Sequence, residues 1–526
     1  MATGIKESIK QNEFMQRGKR GILRIVFGRA MVILLLLALQ FFLIFARLYD
    51  FFQDIPLLFG SIEVFTAVML LYVLNTQENP SIKLSWSIII SLLPLFGALL
   101  YFYVRFDLGH RLAQRLVGDS IKECMPFVPA QTELKEQLKQ EDKDLYNLVH
   151  YMEQNGNFPI YGNTQVKYFP LGEEKFHEML IQLEKSEKFI FMEYFSVGEG
   201  YMWGKILDVL RRKAKQGVEV RFLYDGMVAV ANLPYNYPKK LRKMGIQCKM
   251  FSPVRPLVST HYNNRDHRKI LVIDGKVAFT GGVNLEDRYI NQEEVYGHWK
   301  DTAVMVEGEA AQGFTLMFLQ MWNHDEKVRI YEPYLELPKI NQPAEGFVMS
   351  YGDSPMDKEN VGEMVYLNIL NQARDYVYIM TPYLILDNEM VTALRFAAKR
   401  GVDVRLILPH IPDKKYAFVL AKSHYKELFE AGVKIYEYTP GFVHAKVFLS
   451  DDMHAVVGTI NLDYRSLYLH FECAAYLYKV PALADIMADF QDTMEKSHLI
   501  TGKDIKNQGF FTRFFGALLK IAAPLM

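Results

Sequence analysis

The hydrophobic pattern divides the chain into an apolar amino-terminal region and a longer region of short alternating runs. Ala30 to Ala46 is apolar apart from Gln40. Leu84 to Val104 is a second such run, with Trp86, Tyr101 and Tyr103 near its ends and Pro94 inside. Both approach the length that crosses a bilayer as a helix, and aromatic ends suit the headgroup region. A weaker stretch, Leu58 to Leu74, carries Glu63 and reads as a third hydrophobic helix that spans, re-enters or lies in the interface. From about residue 160 onward the runs become short, β-branched or aromatic, with helical-looking segments such as Met202 to Lys215 and Asn388 to Lys399 between them. Strands alternating with helices at this spacing predict an α/β fold with mostly parallel sheets flanked by helices.

The alternating region says similar things twice. The first copy reads FIFMEYFSV after Lys188, then KQGVEVRFLYD (215–225) and MGIQCKMFSP (244–253); the second reads DYVYIMTPYL (375–384), KRGVDVRLILP (399–409) and AGVKIYEYTP (431–440). Such a repeat predicts two tandem units. The expected organisation is a membrane region of two or three helices over 1–110, a connector over 111–160, one α/β unit over 161–332, a linker over 333–346 with Pro333, Pro338 and Pro343, a second unit over 347–505, and an apolar tail over 506–526.

The copies match best where chemistry is expected. HRKILVIDGKVAFTGGVNLEDR begins at His267 and HAKVFLSDDMHAVVGTINLDYR begins at His444. His267, Lys269, Asp274, Gly281 and Asn284 correspond to His444, Lys446, Asp451, Gly458 and Asn461 at identical offsets. A short motif of this kind arises once by chance easily; its duplication with the same trailing Gly and Asn does not. His and Lys two residues apart on a strand project from one face, whereas Asp274, by parity, does not. Asp274-Gly275 resembles a hairpin turn. The two aspartates therefore read as structural groups, not proton carriers.

Two histidines and two lysines on one cleft, without a carboxylate cage for a metal, suit phosphodiester chemistry that needs no cation. Lysines and the amides of Asn284 and Asn461 would neutralise the phosphoryl oxygens. One imidazole would attack phosphorus while the other protonates the departing alkoxide. An attacking histidine needs its other nitrogen tied to a carboxylate or carbonyl; Asp301 and Glu472, at matching places in the two copies, are the candidates.

Charge sharpens the picture. Lys+Arg and Asp+Glu are both 60, so the net charge is zero, which argues against a dedicated nucleic-acid binder. Cys124, Cys248 and Cys473 share no metal-type spacing and read as free thiols. Lys6, Lys10, Arg17, Lys19, Arg20, Arg24 and Arg29 precede the first run, and Arg105, Arg111, Arg115 and Lys122 follow the last. By the positive-inside rule both flanks lie inside, which places the catalytic units at the cytoplasmic face of the cell membrane. The tail GFFTRFFGALLKIAAPLM (509–526) reads either as an interfacial helix or as one packed on the catalytic units.

The paired motifs resemble the HKD signature of the phospholipase D superfamily, and the wider pattern is similar to bacterial cardiolipin synthases. The resemblance rests on NPSIKLSWSIIISLLPLFGALLYFYV (79–104), FMEYF (191–195), the two motif segments, WKDTAVMVEG (299–308) and FE (471–472). It implies two tandem phospholipase D-type domains behind a transmembrane helical region. It implies a phosphatidyl group moving from one phosphatidylglycerol to another, giving cardiolipin and glycerol through a phosphohistidine, with no metal or other cofactor. His267, Lys269 and Asp274 then form one half-site and His444, Lys446 and Asp451 the other, with the order of the histidines open. Two departures stand out: Ala303 where relatives often carry His, and His470 where Asn is common. A phospholipase D that uses water as acceptor, a nuclease and a catalytically silent membrane scaffold are the rival readings.

Overall fold

In a computed structural model the described residues are 29–48, 56–105, 108–227, 232–252, 264–338, 344–357 and 359–525. The basic positions Lys6 to Arg24 and linker positions 339–343 lie outside them. Contacts divide the chain into two compact units, one made of the amino-terminal helices and one carrying both sequence repeats.

The first unit holds helices Arg29–Leu48, Pro56–Leu74, Pro80–Leu92 and Pro94–Arg105. The expected single run Leu84 to Val104 is corrected to two helices, because Pro94 lacks the N–H that would continue the ladder. Gln40, the one polar break in the first run, has a matching task. Its buried Oε1 accepts from the backbone N–H groups of Leu95 and Phe96, both at 3.1 Å, satisfying donors that a helix start leaves without intrahelical partners. Trp86 and Tyr101 pack edge to face in the small core of these helices. No helix among the described residues is long and apolar enough to cross a membrane.

The second unit is built on two large sheets. The first contains β1 (Thr164–Phe169), β2 (Phe189–Tyr194), β3 (Glu219–Asp225), β4 (Gln247–Phe251), β5 (Lys269–Ile273), β6 (Val277–Gly281) and β8 (Ala303–Gly308), in the order β1-β8-β6-β5-β2-β3-β4. The second contains β9 (Phe347–Asp353), β10 (Tyr376–Met380), β11 (Asp403–Pro409), β12 (Lys434–Tyr438), β14 (Val447–Ser450), β15 (His454–Gly458), β16 (Glu472–Tyr478) and β17 (Ser497–Leu499), in the order β17-β12-β11-β10-β14-β15-β16-β9. β7 (His298–Lys300) and β13 (Gly441–Val443) form a small ladder between the repeats. The connector expected over 111–160 is largely helical, with Leu108–Cys124, Thr132–Glu141 and Lys143–Gly156.

The three runs read first in each copy are the parallel strands: β2, β3 and β4 in one sheet, β10, β11 and β12 in the other. The other ladders of both sheets are antiparallel. The expectation of mostly parallel sheets is therefore corrected to mixed sheets. The cause lies in the motif itself. Asp274 and Gly275 both adopt positive φ, 54° and 67°, and Asp451 and Asp452 do the same at 53° and 54°. Two such residues in a row make the tight reversal that joins antiparallel neighbours only.

Alternation along each strand then sorts the core. Ile270, Val272 and Ala278 of one sheet share a buried cluster with Val447, Leu449, Ala455 and Val457 of the other. Leu271, Ile273 and Phe279 face the opposite way, with the helices Gly172–Glu184 and Tyr201–Lys215. Helix Ala311–Asn323, buried along nearly its whole length, closes the shared core. Two sheets that share one core in this way bring the equivalent ends of β5 and β14 together.

Candidate active site

His267 and His444 each sit just before the motif strand, on a stretch that pairs with the other repeat. Asp266 bridges Phe471 in parallel, and His267 N–H donates to the Phe471 carbonyl at 2.9 Å. In the mirrored arrangement Val443 pairs with Lys300, and His444 N–H donates to the Lys300 carbonyl at 2.7 Å. The residue after each bridge is acidic: Glu472 in one case, Asp301 in the other. The pairing thus delivers each carboxylate to the histidine of the opposite copy. His267 Nδ1 lies 2.9 Å from both Glu472 oxygens, and His444 Nδ1 lies 2.7 Å from Asp301 Oδ2. With Nδ1 tied to a carboxyl group, Nε2 of each ring is the nitrogen left free to act as nucleophile or base.

The lysines complete the cluster. Lys269 Nζ donates to the His267 carbonyl at 2.6 Å. Lys446 Nζ donates to the His444 carbonyl and stands 3.0 Å from His444 Nδ1, whose own proton goes to Asp301. Phe195 and His470 pack on the His267 ring, Tyr289 and Trp299 on the His444 ring. His267, Lys269, His444, Lys446, Asp301 and Glu472 are all buried.

Burial among cations sets the protonation states. Burial first, then Lys269 and His470, pushes the His267 pKa well below its ordinary value. Burial and Lys446 bring His444 down to about 3, against the pull of Asp301. Burial lowers Lys446 to about 7 and Lys269 to about 8, with Asp301 and Glu472 respectively the leading opposing charges. The two carboxyl groups part company. Burial raises Glu472 well above the carboxylate range, with Lys269 opposing it. For Asp301 burial also acts upward, but His444, Lys446 and the Thr302 N–H outweigh it and hold the group below that range.

These directions fix a pH profile. A lysine is charged below its pKa, and an anionic group entering this cluster would meet that charge on Lys269 and Lys446. We expect kcat/KM, which reports the free enzyme, to hold a plateau through weakly acidic pH. It should then fall on the alkaline side with an apparent midpoint between about 7 and about 8. Steady-state rates in mixed micelles across pH check this; an alkaline limb beyond the range of an ordinary lysine would contradict it.

The remaining expected residues fall into two groups. Asn284 and Asn461 flank the cluster and are buried. Asn284 accepts from Ser196 N–H at 3.1 Å and donates to the Tyr289 hydroxyl at 2.8 Å, while Asn461 donates to Ser466 Oγ at 3.0 Å. Asp274 and Asp451 stand at the far end of the motif strands, away from the histidines. Asp274 accepts from the N–H groups of Glu187, Lys188 and Phe189 at 2.7–2.8 Å. Asp451 accepts from Arg374, Asp375 and Tyr376 at 2.8–3.0 Å. Each carboxylate ties the turn after the motif strand to the start of the neighbouring parallel strand. Asp274→Ala or Asp451→Ala should cost about 2 kcal/mol of stability through lost charge-assisted bonds. Calorimetry should register that as a lower Tm, with the activity of the folded fraction kept within about threefold, since a group remote from the reacting atoms leaves transition-state contacts in place.

Other residues contribute as well, among them Lys175, which carried no sequence signal, and Gly282 and Thr459 of the return after each motif strand, where the sequence leaves room for close backbone approach. Lys175, in a charged stretch that looks solvated, is fully buried and is brought to about 7 by burial, with Asp301 opposing. Thr459 donates its hydroxyl to Glu472 Oε2. Gly282 is required by space: a Cβ there would stand 2.0 Å from Asp301 Oδ1. His267, His470 and Glu472 also bring ligand-type atoms within 4.8 Å of one another. Lys269 and Lys446 act on the His267 ring, and Arg465, Lys269 and Arg265 on the His470 ring, so a divalent cation there would meet repulsion from several sides. The residues present do not fit a metal.

A duplicated α/β enzyme with one histidine centre shared between its halves is the class that fold and site define, and the comparisons agree. The family described as "Cardiolipin synthase, PLD-like domain" matches residues 179–322 and 366–494, and "Phospholipase_D-nuclease N-terminal" matches residues 64–105. A cardiolipin synthase of Alkalihalophilus pseudofirmus is 34% identical over 502 residues, 92% of this chain and 98% of that protein. An uncharacterized protein of Streptococcus mutans is 53% identical over 456 residues, 87% of this chain and 99% of that one. The crystal structure of phosphatidylserine synthase from Haemophilus influenzae superposes with a TM-score of 0.54 at 15% identity, covering 72% of this chain and 98% of that one, a likeness of fold. The chain belongs to the phospholipase D-like cardiolipin synthase family.

Proposed function

We propose that the protein is a cardiolipin synthase, a phosphatidyltransferase that joins two phosphatidylglycerols. Nε2 of one catalytic histidine attacks the phosphorus of the first lipid. The bond from phosphorus to the headgroup glycerol breaks, and the other histidine, which takes up a proton on Nε2 when the anionic phosphodiester enters beside it, gives that proton to the departing alkoxide. Free glycerol leaves, and a phosphatidyl group remains on nitrogen. The histidine that gave the proton then takes one from the headgroup hydroxyl of the second lipid, whose oxygen attacks phosphorus. The nitrogen–phosphorus bond breaks and cardiolipin forms. Lys269 and Lys446 offset charge on the non-bridging oxygens, and the second N–H of the Asn284 and Asn461 amides offers further donors. Asp301 and Glu472 hold the rings in the required tautomer.

One observation carries this reading: each catalytic imidazole is held by a carboxyl group from the opposite repeat, so both rings are fixed in one buried cluster. Burial favours transfer to an alcohol over hydrolysis, because a site closed to water keeps the covalent intermediate waiting for its acceptor. Mutual support comes from relatives of about the same length that carry the cardiolipin synthase name. The test is to incubate purified protein with phosphatidylglycerol in mixed micelles and identify products by mass spectrometry. Cardiolipin and glycerol in equal amounts are expected. Phosphatidic acid without cardiolipin would reject the reading in favour of a hydrolase.

Location belongs to the same proposal. The helix Arg29–Leu48 leaves Leu34, Leu35, Phe41 and Phe42 exposed, and the tail helix Phe510–Ala522 leaves Phe510 and Phe511 exposed while Gly516 packs on Ser423. Apolar faces of this kind suit a lipid surface. With the basic flanks of the apolar runs read as inside, the catalytic units work at the cytoplasmic face, where substrate lipids reach the site from the bilayer.

A further inference from the structure

His470 is the histidine that the two-histidine scheme leaves without a task. It is about nine-tenths buried, at 9% exposure. Its ring lies against His267, with centroids 5.6 Å apart and planes inclined at 42°. Neither ring nitrogen has a hydrogen-bond partner among the described residues. Glu472 Oε1 stands 3.9 Å from Nδ1, too far for a hydrogen bond but on that side of the ring. The carboxyl group of Glu472 therefore backs two neighbouring imidazoles, those of His267 and His470.

A buried polar group without a partner costs stability, and such groups persist where a ligand completes them. The surroundings state the sign of that ligand. Burial first, then the charges of Arg465, Lys269, Arg265 and Lys414, hold the ring's pKa well below the ordinary value. A cation or ammonium group would be repelled; an anion would relieve the excess positive charge and accept a hydrogen bond from the ring. The anion that the proposed reaction brings beside His267 is the lipid phosphodiester. At the phosphorus, the attacking nitrogen and the leaving oxygen are in line, so a group packed beside one catalytic imidazole faces the equatorial, non-bridging oxygens.

We propose that His470 is a phosphate-contacting residue, its Nε2 donating to a non-bridging oxygen of the substrate phosphodiester next to His267. This rests on the phosphoryl-transfer reading of the site but not on the choice of acceptor. In the transition state the same contact meets an oxygen of growing negative charge, so it contributes to turnover as well as to binding.

The test compares His470→Phe, which keeps a stacked ring without nitrogen, with His470→Asn, which restores an N–H donor. Total turnover of phosphatidylglycerol is read as glycerol release. We expect kcat/KM to fall roughly 10–100-fold in His470→Phe, the loss of one hydrogen bond to a charged group, and to recover to within roughly tenfold of wild type in His470→Asn. Phosphorothioate analogues with sulfur at one or the other non-bridging position add a readout that packing does not move. The wild type should react more slowly with one diastereomer, and His470→Phe should lose that discrimination. Equal slowing on both diastereomers, an unchanged rate, or failure of His470→Phe and His470→Asn alike to fold would overturn the proposal. A chelator-sensitive wild type restored by zinc would give the ring to a cation and overturn it too. Glycerol release without cardiolipin would instead sink the synthase reading and leave the His470 comparison standing.

Discussion

Replacing either catalytic histidine by alanine should lower turnover by at least about 10⁴-fold, the scale seen when a covalent nucleophile or its acid–base partner is removed from a preorganised site. The two variants should nevertheless fail differently. A variant without the nucleophile forms no nitrogen–phosphorus bond with any substrate. A variant without the acid keeps that ability but cannot protonate the glycerol oxygen. Supplying a phosphatidyl ester with an acidic phenol as leaving group removes the need for a proton. His267→Ala and His444→Ala should then separate: one stays inert, and the other releases phenol and accumulates a protein-bound phosphatidyl group. That adduct is acid-labile and base-stable, as a nitrogen–phosphorus bond requires. Since the crossed pairings hold both rings in one cluster, mixing the two variants should not restore activity unless chains exchange repeats. Turnover above about one per cent of wild type in either variant with phosphatidylglycerol would break the two-histidine mechanism.

The parts of this site that could be read from the sequence are those whose spacing is local. His267 and Lys269, like His444 and Lys446, lie two apart, and strand geometry alone puts them together. The parallel strands β2, β3 and β4 were readable as short apolar runs with a helix between. What escaped is set by pairing between distant segments. Asp301 and Glu472 could be named as orienting groups, yet their partners lie 143 and 205 residues away, in the other copy. That exchange follows from the β7–β13 ladder and the Asp266–Phe471 bridge, which are too short to leave a hydrophobic pattern. The direction of the strands is hidden for a related reason: apolar runs buried on both faces look the same whether their neighbours run parallel or antiparallel. Lys175 was hidden because a buried lysine and a solvated one have the same neighbours in sequence. The turn residues show the opposite case. Asp274-Gly275 and its counterpart Asp451-Asp452 differ in sequence, yet both adopt left-handed backbone, because the preceding aspartate is fixed by three backbone N–H groups in each copy.

The crossed carboxyl groups look equivalent by position, but they should not respond equally to neutralisation. Asp301 is held below the ordinary carboxylate range by His444 and Lys446, so it is ionised when the enzyme works. Glu472 is raised well above that range by burial, and Thr459 donates a hydroxyl to it. Asp301→Asn therefore removes a negative charge beside His444 and lets the amide present its NH₂ to Nδ1, which favours the wrong tautomer. A triad aspartate changed in the same way costs about 10⁴-fold, and we expect roughly 10³-fold or more here. Glu472→Gln replaces a carboxyl group whose charge burial disfavours by a neutral amide of the same shape. Its Oε1 still accepts from His267 Nδ1, and the expected loss is within about tenfold. Glu472→Ala, in contrast, leaves the His267 Nδ1–H buried without an acceptor and should cost at least as much as Asp301→Asn. The order of these three rates separates charge from orientation at each histidine. Equal losses in Asp301→Asn and Glu472→Gln would show that both carboxyl groups carry the same charge, and the division of protonation states between the two half-sites would then be wrong.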